Sequence, residues 1–343
     1  MNHKAKKAAY FFLSAAVLAS TVFIADYAVK KGFARAALVT AQQTAGPSAQ
    51  TQARDAYFPP PQQTPAAQNA PARTEFPFDI NRGTISTIAG IGRAGFTGND
   101  ILTASQSMLN RPCAVRADEY ANIYILDCGN RRLRKIFPSG DITTIAGNLK
   151  NDFPKNNSSA EKFSLQNPTD FIWNSRGDIY ISDDALNRIF KVDENRLLTF
   201  FAGNGEDKNN GDGGLALNAG IARPWALDID DDDNILVYAE NAVRKIDPRG
   251  IINSVPEPPL SMRCTAVDAD GNLYEARGNQ ILKFSNGETS VIAGTGRAGY
   301  YGDGLPADMA ELNNPSCVAL GPDGSVYIAD TGNNVIRKIT YNK

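Results

Sequence analysis

The sequence predicts an all-β fold: a five-bladed β-propeller of four-stranded antiparallel blades, preceded by an N-terminal apolar helix and a disordered spacer. Three observations carry this reading. A phrase of alternating apolar residues and Asp/Asn/Gly turns recurs five times, and each copy divides into four short strands. The two ends of the repeat region are also complementary: the last copy lacks a fourth strand, and an orphan fourth strand precedes the first copy.

The chain begins with Lys4, Lys6 and Lys7, followed by an uncharged run from Ala8 to Ala25 that ends at Asp26. As a helix this run would span roughly 27 Å, near the thickness of a bilayer core. Residues 1–36 are therefore expected to be an uncleaved anchor in the inner membrane, leaving the rest in the periplasm or extracellular space. Ala34-Arg35-Ala36 supplies the alternative, cleavage of a signal and secretion. Residues 37–75, rich in Ala, Gln and Pro, lack the apolar surface that would offset their ordering entropy, and are expected to be a disordered linker. Residues 76–343 are the expected propeller.

Within that region the copies start at Arg111, Asn167, Arg223, Arg263 and Asn314. In each, a first strand with alternating apolar residues (Thr169, Phe171, Trp173) leads into a turn such as "SRGD", "DADGN" or "GPDGS". The second strand carries Tyr124, Tyr180, Tyr274 or Tyr327, the third contains "RKI" or a variant, and the fourth reads "TTIAG" or similar. The tyrosines are expected in the core. The fifth copy stops after its third strand, while "TISTIAG" (84–90) is a fourth strand without a blade. A ring closed by the N-terminal strand explains both ends and removes the exposed sheet edges.

The phrases "YIADTGNNVIRKI" and "IAGTGRAGYYGDGLPADMAELNNPSCVALGPDGSVYIAD" resemble NHL-repeat propellers, particularly those of bacterial exported proteins and the related propeller of teneurins. The resemblance covers residues 84–343 and is weaker in copies three and four, which lack two residues between strands two and three. It implies an interaction platform. It also makes six blades the alternative to five, since NHL propellers more often have six.

"TSVIAGTGRAGYYGDG" contains Gly294-x-Gly296-x-x-Gly299, the spacing of a dinucleotide loop, but Gly302, Gly304 and Pro306 forbid the helix that such a loop must open. No cofactor is expected. The phrase recurs as "STIAGIGRAGFTGND" and is read as a turn leaving a fourth strand, either a repeat-specific staple between blades or an exposed contact for a ligand. The second reading makes Arg93, Phe96, Arg297, Tyr300 and Tyr301 ligand-binding candidates, because long loops on a rigid scaffold carry function. Trp225 is a further candidate at the channel mouth, with packing into the core as its alternative role. "DIDDDDN" (228–234) is read as a solvated hairpin tip, and no metal site is expected.

Four cysteines fall in the propeller. The hairpin register places Cys113 opposite Cys128, with Thr169/Asp184 and Ser316/Thr331 as the corresponding pairs elsewhere, so a Cys113–Cys128 disulfide is expected. Cys264 and Cys317, at the starts of neighbouring inner strands, are a second candidate pair.

The formal net charge of -2 leaves no basic domain to release counterions, so nucleic acid is not an expected partner. The one dense basic run, Arg131–Lys135, is read as the solvated face of a strand. The single histidine, His3, lies outside the propeller, which leaves no histidine there for a zinc site or a Ser-His-Asp triad. Asp127, Asp183 and Asp330 recur at equivalent positions in separate copies, near Gly or Asn, as turn-capping residues would. The expected function is thus a non-catalytic, membrane-tethered module that binds a protein or glycan. The alternative is a carboxylate-based glycoside hydrolase or lyase.

Overall fold

A computed structural model describes residues 82–98, 102–150, 155–256 and 264–341. The expected anchor and linker, residues 1–36 and 37–75, lie outside the described residues. Among the described residues no helix is long and apolar enough to cross a membrane.

Five separate antiparallel sheets form, one per sequence copy. Blade 1 runs from an inner strand Pro112–Ala117 through Ile123–Asp127 and Arg132–Ile136 to an outer strand Ile142–Ala146. Blade 2 comprises Pro168–Trp173, Ile179–Asp183, Arg188–Val192 and Leu197–Ala202. Blade 3 comprises Ala226–Ile229, Ile235–Ala239, Ala242–Ile246 and Ile252–Ser254, and blade 4 Ala266–Val267, Leu273–Arg277, Gln280–Ser285 and Glu288–Ala293. Blade 5 takes Cys317–Leu320, Val326–Asp330 and Val335–Thr340 from the C-terminal end, and its outer strand, Thr84–Ala89, from the N-terminal end. The register there runs from Thr84 opposite Thr340 to Ala89 opposite Ile336. The ring is closed as the incomplete ends require, with five blades.

Alternation fixes which side of each strand is buried. Ile123, Ile125, Phe171, Ile181, Val237, Val326 and Ile328 pack between blades. The recurrent tyrosine of the second strand stands directly opposite the lysine of the third: Tyr124 with Lys135, Tyr274 with Lys283, Tyr327 with Lys338. In these three blades the ammonium lies 5.0–5.3 Å from the ring centroid, so the lysine stem covers the ring while its charge reaches solvent. Tyr180, Tyr274 and Tyr327 are buried and Tyr124 half-buried. Burial and the adjacent Asp118 push the Tyr124 phenol up to about 12.

The long connections are staples. Gly90, Gly147, Gly203 and Gly294 each end an outer strand with positive φ. At Gly294 a Cβ would run into the Asn279 carbonyl, so only glycine permits the turn. Each glycine donates its N–H to the carbonyl of a buried alanine in a single 3₁₀ turn: Ala104, Ala160, Ala216 or Ala307, at 2.8–3.0 Å. The same alanine donates its own N–H to the turn before the next outer strand, at Gly140, Arg196, Gly250 or Gly83, at 2.8–2.9 Å. One residue thus joins two blades, and only a side chain as small as alanine fits between them. The staple reading of the glycine phrase therefore holds for its 3₁₀ turns.

Candidate functional site

The loops that carry the candidate residues are fastened to the blades by a device invisible in composition. Arg134, Arg244 and Arg337 occupy the same place in the third strands of blades 1, 3 and 5, and each is 0% exposed. Arg337 donates to Asp303 at 2.8 Å, and Arg244 to Asp212 at 2.6 Å and to the carbonyls of Asn210 and Gly220 at 2.9 Å. Arg134 donates to the Gly98 carbonyl at 3.2 Å. The "GDG" segments of the loops, Asp212 and Asp303, are therefore arginine partners. In blade 2 the corresponding residue is Phe190, whose ring meets Phe163 of the incoming loop with centroids 4.6 Å apart. The expectation that Arg131–Lys135 forms a solvated face fails at Arg134. The guanidinium is drawn inside because the loop carbonyl, the Phe96 ring and the buried Asp127 surround it.

Asp127, Asp183 and Asp330 are all fully buried. Asp127 accepts the Asn110 N–H and the Asn130 side-chain amide at 2.7 Å; Asp330 accepts the equivalent Asn313 N–H and Asn333 amide at 2.8 Å. Asp183 accepts the N–H groups of Gln166, Asn167 and Leu186. They tie the end of each long loop to the turn after the second strand, the turn-capping role expected of them. Burial pushes Asp127 and Asp330 up to about 6 against the lowering effect of these donors, and Asp183 is raised for the same reason. Enclosed in this way, the three recurring carboxylates are not solvent-facing acid–base pairs.

The six sequence candidates separate. Arg297 and Tyr301 project into solvent, 83% and 62% exposed. Tyr300 is 47% exposed, with its hydroxyl 3.0 Å from that of Thr87 and its ring beneath Arg337. Its ring edge also packs beside Gly92, which sets the exposed Arg93 next to it. Phe96, the counterpart of Tyr300 in the next loop around the ring, is half-buried, with the Arg132 guanidinium 3.8 Å from its ring centroid. These five residues line the rim over blades 5 and 1. Trp225 lies apart on blade 3, half-buried against Tyr238 and bonded through Nε1 to the Ala239 carbonyl at 3.4 Å.

At the inner strands, both cysteine pairs are bonded. Cys113 and Cys128 have Cα atoms 5.8 Å apart, Cys113 standing in the bulge between Pro112 and Ala114. Cys264 and Cys317 join the inner strands of blades 4 and 5, with Cα atoms 4.6 Å apart. Ser316 faces Thr331 as expected. In blade 2 the Thr169 hydroxyl meets Ser182 at 2.9 Å and the Pro224 carbonyl at 2.8 Å, while Asp184 accepts from Asn167. Thr169 stands in the same kind of bulge as Cys113, between Pro168 and Asp170. Sequence reasoning missed Asp170, buried between blades, which accepts from Arg116 at 3.1 Å and from the Leu227 N–H. A lone acid in an apolar inner strand was its only signal. The acidic tip 230–234 is a hairpin turn as expected, with Asp230 accepting from Asn234.

Residues 83–274 match the Teneurin NHL domain and residues 312–339 the NHL repeat. Among curated proteins, Teneurin-4 of Mus musculus is 25% identical over 280 residues, covering 69% of this chain and 10% of that protein. Teneurin-1 of Gallus gallus is 29% identical over 262 residues, covering 70% and 8%. The chain thus spans about a tenth of the length of these relatives. A gluconolactonase structure from Xanthomonas campestris aligns with 10% identity and a TM-score of 0.47, over 76% of this chain and 98% of that one.

Proposed function

Because this chain belongs to the Teneurin NHL domain family, we propose that it is a non-catalytic interaction module that binds a protein or glycan through the loops over blades 5 and 1. In this reading residues 1–36 tether it to a membrane and the propeller faces the periplasm or the extracellular space. The observation that carries the proposal is the exposed set Arg93, Arg297, Tyr300 and Tyr301, held on loops whose bases are locked by buried arginine. Tyrosine and arginine on a pre-ordered surface contribute contact area and hydrogen bonds at a small entropic cost. The family supports an interaction role, and two disulfides support an oxidising compartment. The lysine-flanked apolar run supports the tether.

Glycan-array and cross-linking assays on the full chain in detergent test the proposal. Changing Arg297→Ala together with Tyr301→Ala should weaken the captured ligand at least tenfold. Trp225→Ala tests the blade 3 position separately. Undiminished binding by both variants would move the site off these loops.

A further inference from the structure

The outer edges of the five blades are not alike. In blades 1, 2, 3 and 5 the incoming linker lies along the outer strand as a rudimentary extra strand: Thr103 bridges Asp141, Ser158–Ser159 pair with Leu198 and Leu197, Leu215 bridges Ile251, and Pro306 bridges Thr84. On blade 5 three backbone bonds hold it. Gly304 donates to the Ile85 carbonyl at 2.8 Å, Ile85 donates to the Leu305 carbonyl at 3.0 Å, and Ala307 donates to the Gly83 carbonyl at 2.8 Å. Blade 3 repeats the set with Gly213, Ile252, Gly214, Ala216 and Gly250, at 2.8–3.1 Å.

Blade 4 has the receiving half of this arrangement. Thr289 stands opposite Phe284 as Ile85 stands opposite Ile339 and Ile252 opposite Ile246. Gly287 therefore occupies the place of Gly83 and Gly250, and its carbonyl and both backbone groups of Thr289 face outward. Among the described residues no strand or bridge pairs with that edge. Residues 255–265 join blades 3 and 4 in about half the length of the connection 294–316 between blades 4 and 5. Glu288 to Val291 are exposed, Val291 to 41%. The strand "ETSVIA" carries no proline or lysine, the residues that usually blunt an open edge.

We propose that the outer edge of blade 4, Glu288–Ala293, is a strand-addition site for an extended segment of a partner protein, seated as the chain's own linkers are seated on the other four blades. The segment it fits is uncharged at its pairing positions and carries glycine or alanine where Gly304 and Ala307 lie on blade 5, since its backbone supplies the bonds and bulky side chains would meet the rim. This surface is separate from the loops over blades 5 and 1.

The probe is a fluorescein-labelled peptide of residues 302–311, GDGLPADMAE, the segment that pairs with blade 5, titrated with the full chain by fluorescence polarisation. Saturable binding is expected, weakened at least tenfold when the peptide nitrogens matching Gly304 and Ala307 are methylated. Thr289→Pro should produce a similar loss and Thr289→Val none, because proline removes the outward N–H at a position an edge strand tolerates. Should Thr289→Pro fail to fold, the methylated peptide still decides. No saturation at millimolar peptide, equal binding of the methylated peptide, or a folded Thr289→Pro variant that binds unchanged would overturn the proposal. So would a dimer of the full chain that Thr289→Pro dissociates, which would give the edge to a second copy.

Discussion

Arg337 and Asp330 face each other inside blade 5, Nη1 to Oδ2 at 3.5 Å, with neither side chain exposed. The arginine reaches onward to Asp303 in the loop, so one buried cation holds both the second strand and the candidate ligand-binding loop. Arg337→Met should cost about 3–5 kcal/mol by leaving the buried Asp330 without its cation and the loop without its anchor. Arg244→Met should cost less, because its partner Asp212 is half exposed and can be solvated. Urea unfolding of the two variants measures the difference, and equal costs would contradict the account.

The buried aspartates give a pH dependence of definite sign. Asp127 and Asp330 titrate near 6 in the fold, above the ordinary value of 3.8. The folded state therefore holds these protons more tightly than the unfolded chain. Their stabilising contribution is complete below about pH 4 and is lost as pH rises through about 6. Relative to Asp330→Asn, the parent chain should lose up to about 3 kcal/mol between pH 4 and pH 7. Paired denaturation curves across that range check it, and a parent that gains on the variant as pH rises would refute it.

The two disulfides should differ in weight. Cys264–Cys317 closes a sequence separation of 53 residues and links two blades, whereas Cys113–Cys128 closes 15 within one. Chain entropy assigns them about 4 and about 3 kcal/mol. Thermal melts of Cys317→Ser and Cys128→Ser variants should rank in that order.

The staple alanines tolerate no enlargement. Ala216 is buried between blades 2 and 3 with both backbone groups bonded. Ala216→Leu should lower stability by about 1–3 kcal/mol through overpacking. The neighbouring exposed Leu217→Ala should change it by less than about 0.5 kcal/mol. Chemical denaturation of the two variants compares an inter-blade position with a rim position.

Strand alternation, Asp/Asn/Gly turns and complementary ends sufficed to read five blades and their closure through Thr84–Ala89. They sufficed also for Cys113–Cys128 and for the capping role of Asp127, Asp183 and Asp330. All of these depend on neighbours within a hairpin, or on repetition of one hairpin. What only the tertiary structure decided are meetings between distant residues: Arg337 with Asp303 across 34 positions, Thr169 with the Pro224 carbonyl across 55, Thr87 with Tyr300 across 213. A basic run reads as solvated until the loop that neutralises it is placed, which is why Arg134 misleads. The exposed outer strand of blade 4 is likewise an outcome of geometry, since the exposure of Glu288 to Val291 has meaning only when the linkers of the other four blades are seen lying along the rim.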